Sequence, residues 1–190
     1  MKICAQLVEL ISINQTIVLD IRYATKNNFT KKIVYPLALL FLQREVALAL
    51  DAVQKDLRKL GLGLKIFDGY RPLTIQKMFW KLCPDERYVA HPDKGSNHNR
   101  GTAADVSLID LTTKTELLMP SEFDDFSERA CRHYPFTPPP AKHNSRLLEE
   151  IMAKHAFIGK PTEWWHFDWE NDKQYPILDI PFEKLIMQKI

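Results

Sequence analysis

The amino-acid sequence predicts an α+β fold, a single compact domain over residues 1–190 in which a small, largely antiparallel sheet packs against helices. Strand-like runs are interleaved with three segments of helical apolar spacing, and the turns between them are too irregular for repeated βαβ units. The chain carries no internal repeat, low-complexity tract or Gly/Ser-rich linker that would mark a second domain.

Each element has its own signal. From Thr16 to Tyr23, Ile17, Leu19, Ile21 and Tyr23 alternate with Val18, Asp20 and Arg22, the period of a half-buried strand. Leu39, Leu42, Val46, Ala49, Val53, Leu57 and Leu60 recur three and four residues apart, predicting a long amphipathic helix ended by Gly61. Leu64 to Phe67 reads as a short strand broken at Asp68-Gly69. A second helix starts after Pro72 with Ile75, Met78, Phe79 and Leu82 on one face, and the intervening turn is expected to expose Tyr70 and Arg71. Ala103 to Ile109 is a strand with Val106 and Leu108 on one face and Ala103, Asp105 and Ser107 on the other. A Pro-rich loop, Pro135 to Pro140, leads to a third helix with its cap at Asn144 or Ser145 and with Leu147, Leu148, Ile151 and Met152 as its apolar face. An aromatic strand, Trp164 to Trp169, comes last.

Composition narrows the function. With 45% hydrophobic and 26% charged residues the chain is globular, and 26 Lys plus Arg against 24 Asp plus Glu leave a net charge of +2. That excludes the electrostatic footprint of a nucleic-acid or anionic-membrane binder and favours a small or neutral substrate. The longest run free of polar residues, Val34 to Leu42, falls far short of the roughly 20 apolar residues that span a bilayer. Gln6 and Glu9 interrupt the apolar stretch after Lys2, which argues against a secretory signal, so the chain is expected to stay in the cytoplasm. Cys4, Cys83 and Cys131, odd in number and far apart, read as free thiols.

Two segments carry donors suited to zinc. Ser96-Asn-His-Asn-Arg-Gly-Thr-Ala-Ala-Asp105 offers the His98 imidazole and the Asp105 carboxylate, which can share an ion only if the loop folds back at Gly101. Taken alone, it fits equally an exposed loop histidine and an Asp105 paired with Arg100. Glu163-Trp-Trp-His166 offers a second imidazole. In a regular strand Glu163 and His166 would point to opposite faces, so a shared site requires a turn or bulge before Trp164. An isolated stretch of this kind is more often an aromatic core strand. The sum shifts the balance: His98, Asp105 and His166 are three ligands of the kinds catalytic zinc uses, with a fourth position left for water. Glu163 is then a surplus carboxylate able to accept a proton from metal-activated water, the chemistry of amide hydrolysis. HExxH is absent. In Asp68-Gly-Tyr-Arg-Pro72, proline holds Arg71 in an extended conformation, where its guanidinium could meet an oxyanion with Asp68 orienting it. A strand-helix salt bridge would account for the same residues.

Together these motifs resemble the zinc D-alanyl-D-alanine dipeptidases. The resemblance runs through Leu19-Asp-Ile-Arg-Tyr-Ala-Thr, Asn28-Phe-Thr, Asp68-Gly-Tyr-Arg-Pro, Ser96-x-His-x-x-Gly-x-Ala-x-Asp, Phe123-Asp124 and Glu163-Trp-Trp-His. It implies a hedgehog/D,D-peptidase-like fold and one zinc ion per chain on His98, Asp105 and His166. It further implies Glu163 as general base and proton donor, Arg71 as stabiliser of the transition state, and Asp124 as the anchor of the substrate ammonium group. The implied partner is a small dipeptide. Related readings are a D,D-carboxypeptidase or endopeptidase acting on peptidoglycan stems, and a non-catalytic zinc-stabilised module. Glu163 and Arg71 argue against the last. The remaining histidines, His91, His133, His143 and His155, lack partners at ligand spacing, and Trp80 reads as packing.

Overall fold

An aliphatic stripe across two neighbouring strands organises the molecule. The computed structural model describes residues 6–187. Its elements are β1 (Leu7–Glu9), α1 (Leu10–Ile13), β2 (Val18–Leu19), β3 (Phe41–Gln43), α2 (Arg44–Arg58), β4 (Leu62–Asp68), α3 (Leu73–Leu82), β5 (Ala103–Asp110), α4 (Pro139–Lys154), β6 (Phe157–Gly159), β7 (His166–Trp169) and α5 (Phe182–Met187). A five-stranded sheet runs in the order β2-β4-β5-β7-β6, parallel only between β2 and β4, and β1 pairs with β3 in a separate antiparallel ribbon. Leu64 and Ile66 of β4 stand opposite Leu108 and Val106 of β5, so all four share one face. Buried Val46, Leu50, Val53 and Leu57 of α2 and Leu148, Ile151 and Met152 of α4 complete one hydrophobic core with them. No described helix is long and apolar enough to cross a membrane.

A bulge at Phe67 positions the chemistry. Ile66 pairs with Val106, but Asp68 pairs with Asp105, so β4 carries one extra residue there. The insertion brings Asp68 to the face that Asp105 occupies. Asp105 in turn lies opposite His166 of β7. Three polar residues thus form a row across three adjacent strands at one level of the sheet.

Several element boundaries differ from the sequence reading, each for a local reason. Residues Phe41–Gln43 are strand instead of the first turn of α2, because buried Gln43 pairs with the loop around Gly101: its N–H donates to Gly101 O at 2.9 Å and its Nε2 to Arg100 O at 2.7 Å. The predicted strand Thr16–Tyr23 shortens to Val18–Leu19 and gives way to a 3-10 turn at Arg22–Ala24. The helix α4 starts at Pro139 instead of beside Asn144 or Ser145; proline suits the first turn because the N–H it lacks has no intrahelical acceptor there. Tyr70 and Arg71 are buried, not exposed. Cys83 and Cys131 are free thiols, while Cys4 lies outside the described residues.

Candidate active site

The His98 side chain is delivered by a 3-10 turn, Asn97–Arg100, that the sequence caps at both ends. The Ser96 hydroxyl accepts from the His98 N–H at 3.3 Å, and Asn99 Oδ1 accepts from the Ser96 N–H at 2.7 Å. Gly101 closes the turn at φ 70°, in the left-handed region that glycine adopts without strain. This is the fold-back that the spacing of His98 and Asp105 demands. The turn is laced to the Asp68–Arg71 segment: the Arg71 N–H donates to His98 O at 3.0 Å, and Asn99 Nδ2 to Arg71 O at 2.8 Å.

Glu163 and His166 are brought to one site by a second turn. Trp164 and Trp165 are not strand residues; the Glu163 N–H bonds to Lys160 O and the His166 N–H to Glu163 O, each at 3.3 Å, before β7 begins. The turn that the Glu163 to His166 spacing requires is therefore present.

The three expected ligands converge. His98 Nε2 lies 3.2 Å from His166 Nδ1 and 3.5 Å from Asp105 Oδ1, which is 3.1 Å from His166 Nδ1. Bonds of about 2.0–2.1 Å to a tetrahedral zinc would set ligand atoms about 3.3–3.4 Å apart, so the donor set fits such an ion without rearrangement. All three side chains are buried. The second ring nitrogens are held as well: His98 Nδ1 is 2.7 Å from Gly69 O and His166 Nε2 is 2.9 Å from Asp168 Oδ1, the supporting contacts that orient metal-binding imidazoles. Burial opposes a charged His166, but the Asp168 and Asp105 carboxylates outweigh it and raise its pKa to about 10. Burial likewise opposes the Asp168 carboxylate, yet His166 holds it down at about 2. The cluster thus favours positive charge at its centre, the electrostatic condition for a cation site.

Glu163 and Arg71 flank the triad. Glu163 Oε2 is 3.8 Å from His166 Nδ1, while its Oε1 accepts from Lys160 Nζ at 2.6 Å. Arg71 donates to Asp68 Oδ2 through Nη2 at 2.6 Å and Nε at 3.2 Å, and to Gln76 Oε1 through Nη1 at 2.9 Å. Asp68 also accepts from the Tyr35 hydroxyl at 2.8 Å. The guanidinium lies 4.8 Å from the centre of the Phe79 ring and 5.4 Å from that of Tyr23. A salt bridge is present, but it is buried and aimed at the cleft instead of tidying the surface.

Asp124 lies in the same cleft, at a left-handed φ of 62°. Its Oδ1 accepts from the Tyr23 hydroxyl at 3.1 Å and its Oδ2 from the Phe29 N–H at 3.0 Å. Burial raises its pKa to about 7 despite the Phe29 contact. The Tyr23 hydroxyl, buried beside Asp124, has its pKa raised well above 10 and stays a donor. The cleft itself encloses about 220 Å³, below the roughly 300–1,000 Å³ of pockets for drug-sized ligands.

All six predicted site residues line one cleft. Sequence reasoning missed Tyr23, Gln76, Lys160 and Asp168. Asp168 carried a readable signal, since a residue two positions along a strand from His166 shares its face; Gln76 and Lys160 carried none. Of the other histidines, His155 pairs with Asp56 at 3.0 Å and His91 stacks edge-on against Trp80.

The profile of the D-Ala-D-Ala dipeptidase family matches residues 4–185. The chain belongs to that family. The D-alanyl-D-alanine dipeptidase of Escherichia coli (strain K12) is 38% identical over 181 residues, covering 95% of this chain and 93% of the relative. The enzyme of the same name from Enterococcus faecalis (strain ATCC 700802 / V583) is 32% identical over 177 residues, 83% of this chain and 87% of the relative. Among solved structures, a vancomycin-resistance D,D-pentapeptidase in complex with Zn(II) is similar at 17% identity and a TM-score of 0.44, covering 70% of this chain and 75% of that one. This member of the dipeptidase family carries a buried His-Asp-His cluster with a carboxylate and a guanidinium beside it.

Proposed function

We propose that this member of the dipeptidase family is a zinc-dependent hydrolase that splits free D-alanyl-D-alanine into two D-alanines. The observation that carries the reading is the convergence of His98 Nε2, Asp105 Oδ1 and His166 Nδ1 at separations of 3.1–3.5 Å, with Glu163 alongside. The names of the curated relatives support the substrate.

His98, Asp105 and His166 would hold the zinc, which when bound lowers the pKa of water toward about 7 and polarises a carbonyl. The chain's own groups do the rest. Asp124, its carboxylate oriented by Tyr23 and the Phe29 N–H, binds the ammonium end of the dipeptide. Glu163 takes the proton from the attacking water. The water oxygen bonds to the amide carbon, the carbon–nitrogen bond breaks, and Glu163 returns the proton to the departing nitrogen. Arg71, fixed by Asp68 and Gln76, meets the negative charge that develops on the carbonyl oxygen. The ring faces of Phe79 and Tyr23 against Arg71 keep that charge interaction out of bulk water.

Metal analysis combined with turnover of the free dipeptide tests the reading. One zinc per chain and release of D-alanine are expected, with little turnover of the N-acylated dipeptide, which lacks the ammonium group. Equal turnover of both would point to a carboxypeptidase, and a chain that binds zinc but cleaves neither would contradict the proposal.

A further inference from the structure

The turn that carries Glu163 closes the β6–β7 hairpin, where the Lys160 N–H donates to His166 O at 3.1 Å, and the same two ends also meet on a single buried side chain. Arg132 donates from Nε to Lys160 O at 2.9 Å and from Nη2 to His166 O at 2.6 Å. Its own N–H donates to Pro161 O at 3.0 Å, and two residues earlier Ala130 O accepts from the Trp164 N–H at 2.9 Å. The guanidinium sits 4.2 Å from the centre of the Phe167 ring, and only 3% of the side chain is exposed. Burial pushes its pKa down to about 10, which leaves it charged at neutral pH.

The residue at position 159 is matched to this arrangement. A Cβ built on Gly159 would collide with the Arg132 guanidinium, at Nε and, 2.6 Å away, at Nη2. Any side chain there would lever Arg132 off its carbonyl acceptors. Arg132 lies in the stretch Cys131 to Ala141, where the sequence offers no motif.

We propose that Arg132 is a positioning residue for catalysis: it bridges the Lys160 and His166 carbonyls, locks the intervening turn, and so holds Glu163 at the metal cluster. The inference rests on Glu163 being the proton acceptor. Arg132 makes no hydrogen bond to Glu163 or to the three expected ligand side chains; it acts through the backbone of the turn and through the attraction between its charge and the Glu163 carboxylate. Displacing a catalytic group by about 1 Å can cost 10²-fold, and loss of a contact supporting a metal site about 10–100-fold.

The experiment compares the zinc-loaded full chain with Arg132→Met, Arg132→Lys, Gly159→Ala and the Gly159→Ala/Arg132→Met double variant. Arg132→Met is expected to lower kcat about 10–100-fold with KM within about threefold and zinc still bound. Arg132→Lys should recover part of the loss, because an ammonium reaches one of the two carbonyls. Gly159→Ala should mimic Arg132→Met, and the double variant should lose no more than the worse single one. Amide hydrogen exchange supplies a readout independent of turnover: the Glu163 and His166 amides should exchange at least about tenfold faster in Arg132→Met while β4 and β5 amides do not. If Arg132→Met fails to fold, Arg132→Lys and Gly159→Ala carry the test. A folded Arg132→Met with wild-type kcat, a loss wholly in KM, multiplicative losses in the double variant, or unchanged exchange in the turn would each overturn the proposal. An inactive but zinc-loaded unsubstituted chain would instead overturn the dipeptidase reading, and hydrogen exchange would still decide whether Arg132 locks the turn.

Discussion

Glu163 and His166 lie three residues apart on one turn, but the proposed function gives them separable tasks, and substitution distinguishes them. Glu163→Ala removes the proposed proton acceptor, so kcat is expected to fall by about 10²–10⁴-fold while metal analysis still finds zinc. His166→Ala removes one of the three proposed ligands, so zinc itself should be lost. Asp168→Asn spares every ligand atom but weakens the contact that orients the His166 ring; a drop of about 10–100-fold in zinc affinity or turnover is expected, read by chelator competition. As the proposed anchor of the substrate ammonium group, Asp124 would connect binding to pH. With its pKa raised to about 7 by burial, it is mostly a carboxylate only above that pH, so KM for the dipeptide should climb as pH falls through about 7. In Asp124→Asn, KM should be high and flat across that range. The same shift has a cost in stability. Between the ordinary value of 3.8 and about 7 the folded chain retains a proton that the unfolded chain has released, so stability declines as pH rises through that window. Thermal melts of Asp124→Asn should therefore show a smaller loss of Tm across the window than the unsubstituted chain.

At the scale of elements, the turns set the geometry. Gly101 ends the His98 turn at φ 70°, and a Cβ there would come within 2.6 Å of Leu7 Cδ2. Gly101→Ala is expected to lower stability by about 1–3 kcal/mol, measured by denaturant unfolding, and to weaken zinc binding through the displaced His98. The sequence made the ligand types, the Gly101 fold-back and the need for a turn before Trp164 legible, because each follows from local chemistry or from strand period. It could not place Phe41–Gln43 in an extended ribbon, since Leu39 and Leu42 keep helical spacing with α2 while Gln43 is claimed by a loop far along the chain. The start of α4 was hidden for a different reason: three consecutive prolines read as a break, although two of them serve as its first turn. Burial of Tyr70 and Arg71 depends on the Tyr70 hydroxyl meeting the segment around Ile180 and on Gln76 reaching Ala90 O, both tertiary contacts without a local signature.

For the molecule as a whole, zinc would join the Asn97–Arg100 turn and the adjacent β5 to β7, 61 residues further along from Asp105 to His166. A ligand that binds only the folded state stabilises it by an amount that grows with concentration, about 4 kcal/mol at a thousand times Kd. Calorimetry should accordingly show Tm rising with added zinc and falling under a chelator, and His98→Ala should abolish the increment. The overall architecture was legible because three helices and a few short strands leave few ways to bury one aliphatic stripe. The register of the central strands was not, because a single extra residue in β4 leaves no mark on a pattern of alternation.

That extra residue at Phe67 works as a change of frame along one strand. Upstream of it the chain is written for packing; downstream, the same alternation is read one step out of phase and addresses the reaction. Were Phe67 instead to pair with Asp105, as unbroken alternation would have it, Asp68 would be presented to the oily side and Arg71 would lose its anchor, so the cleft could be disarmed without changing one residue that lines it.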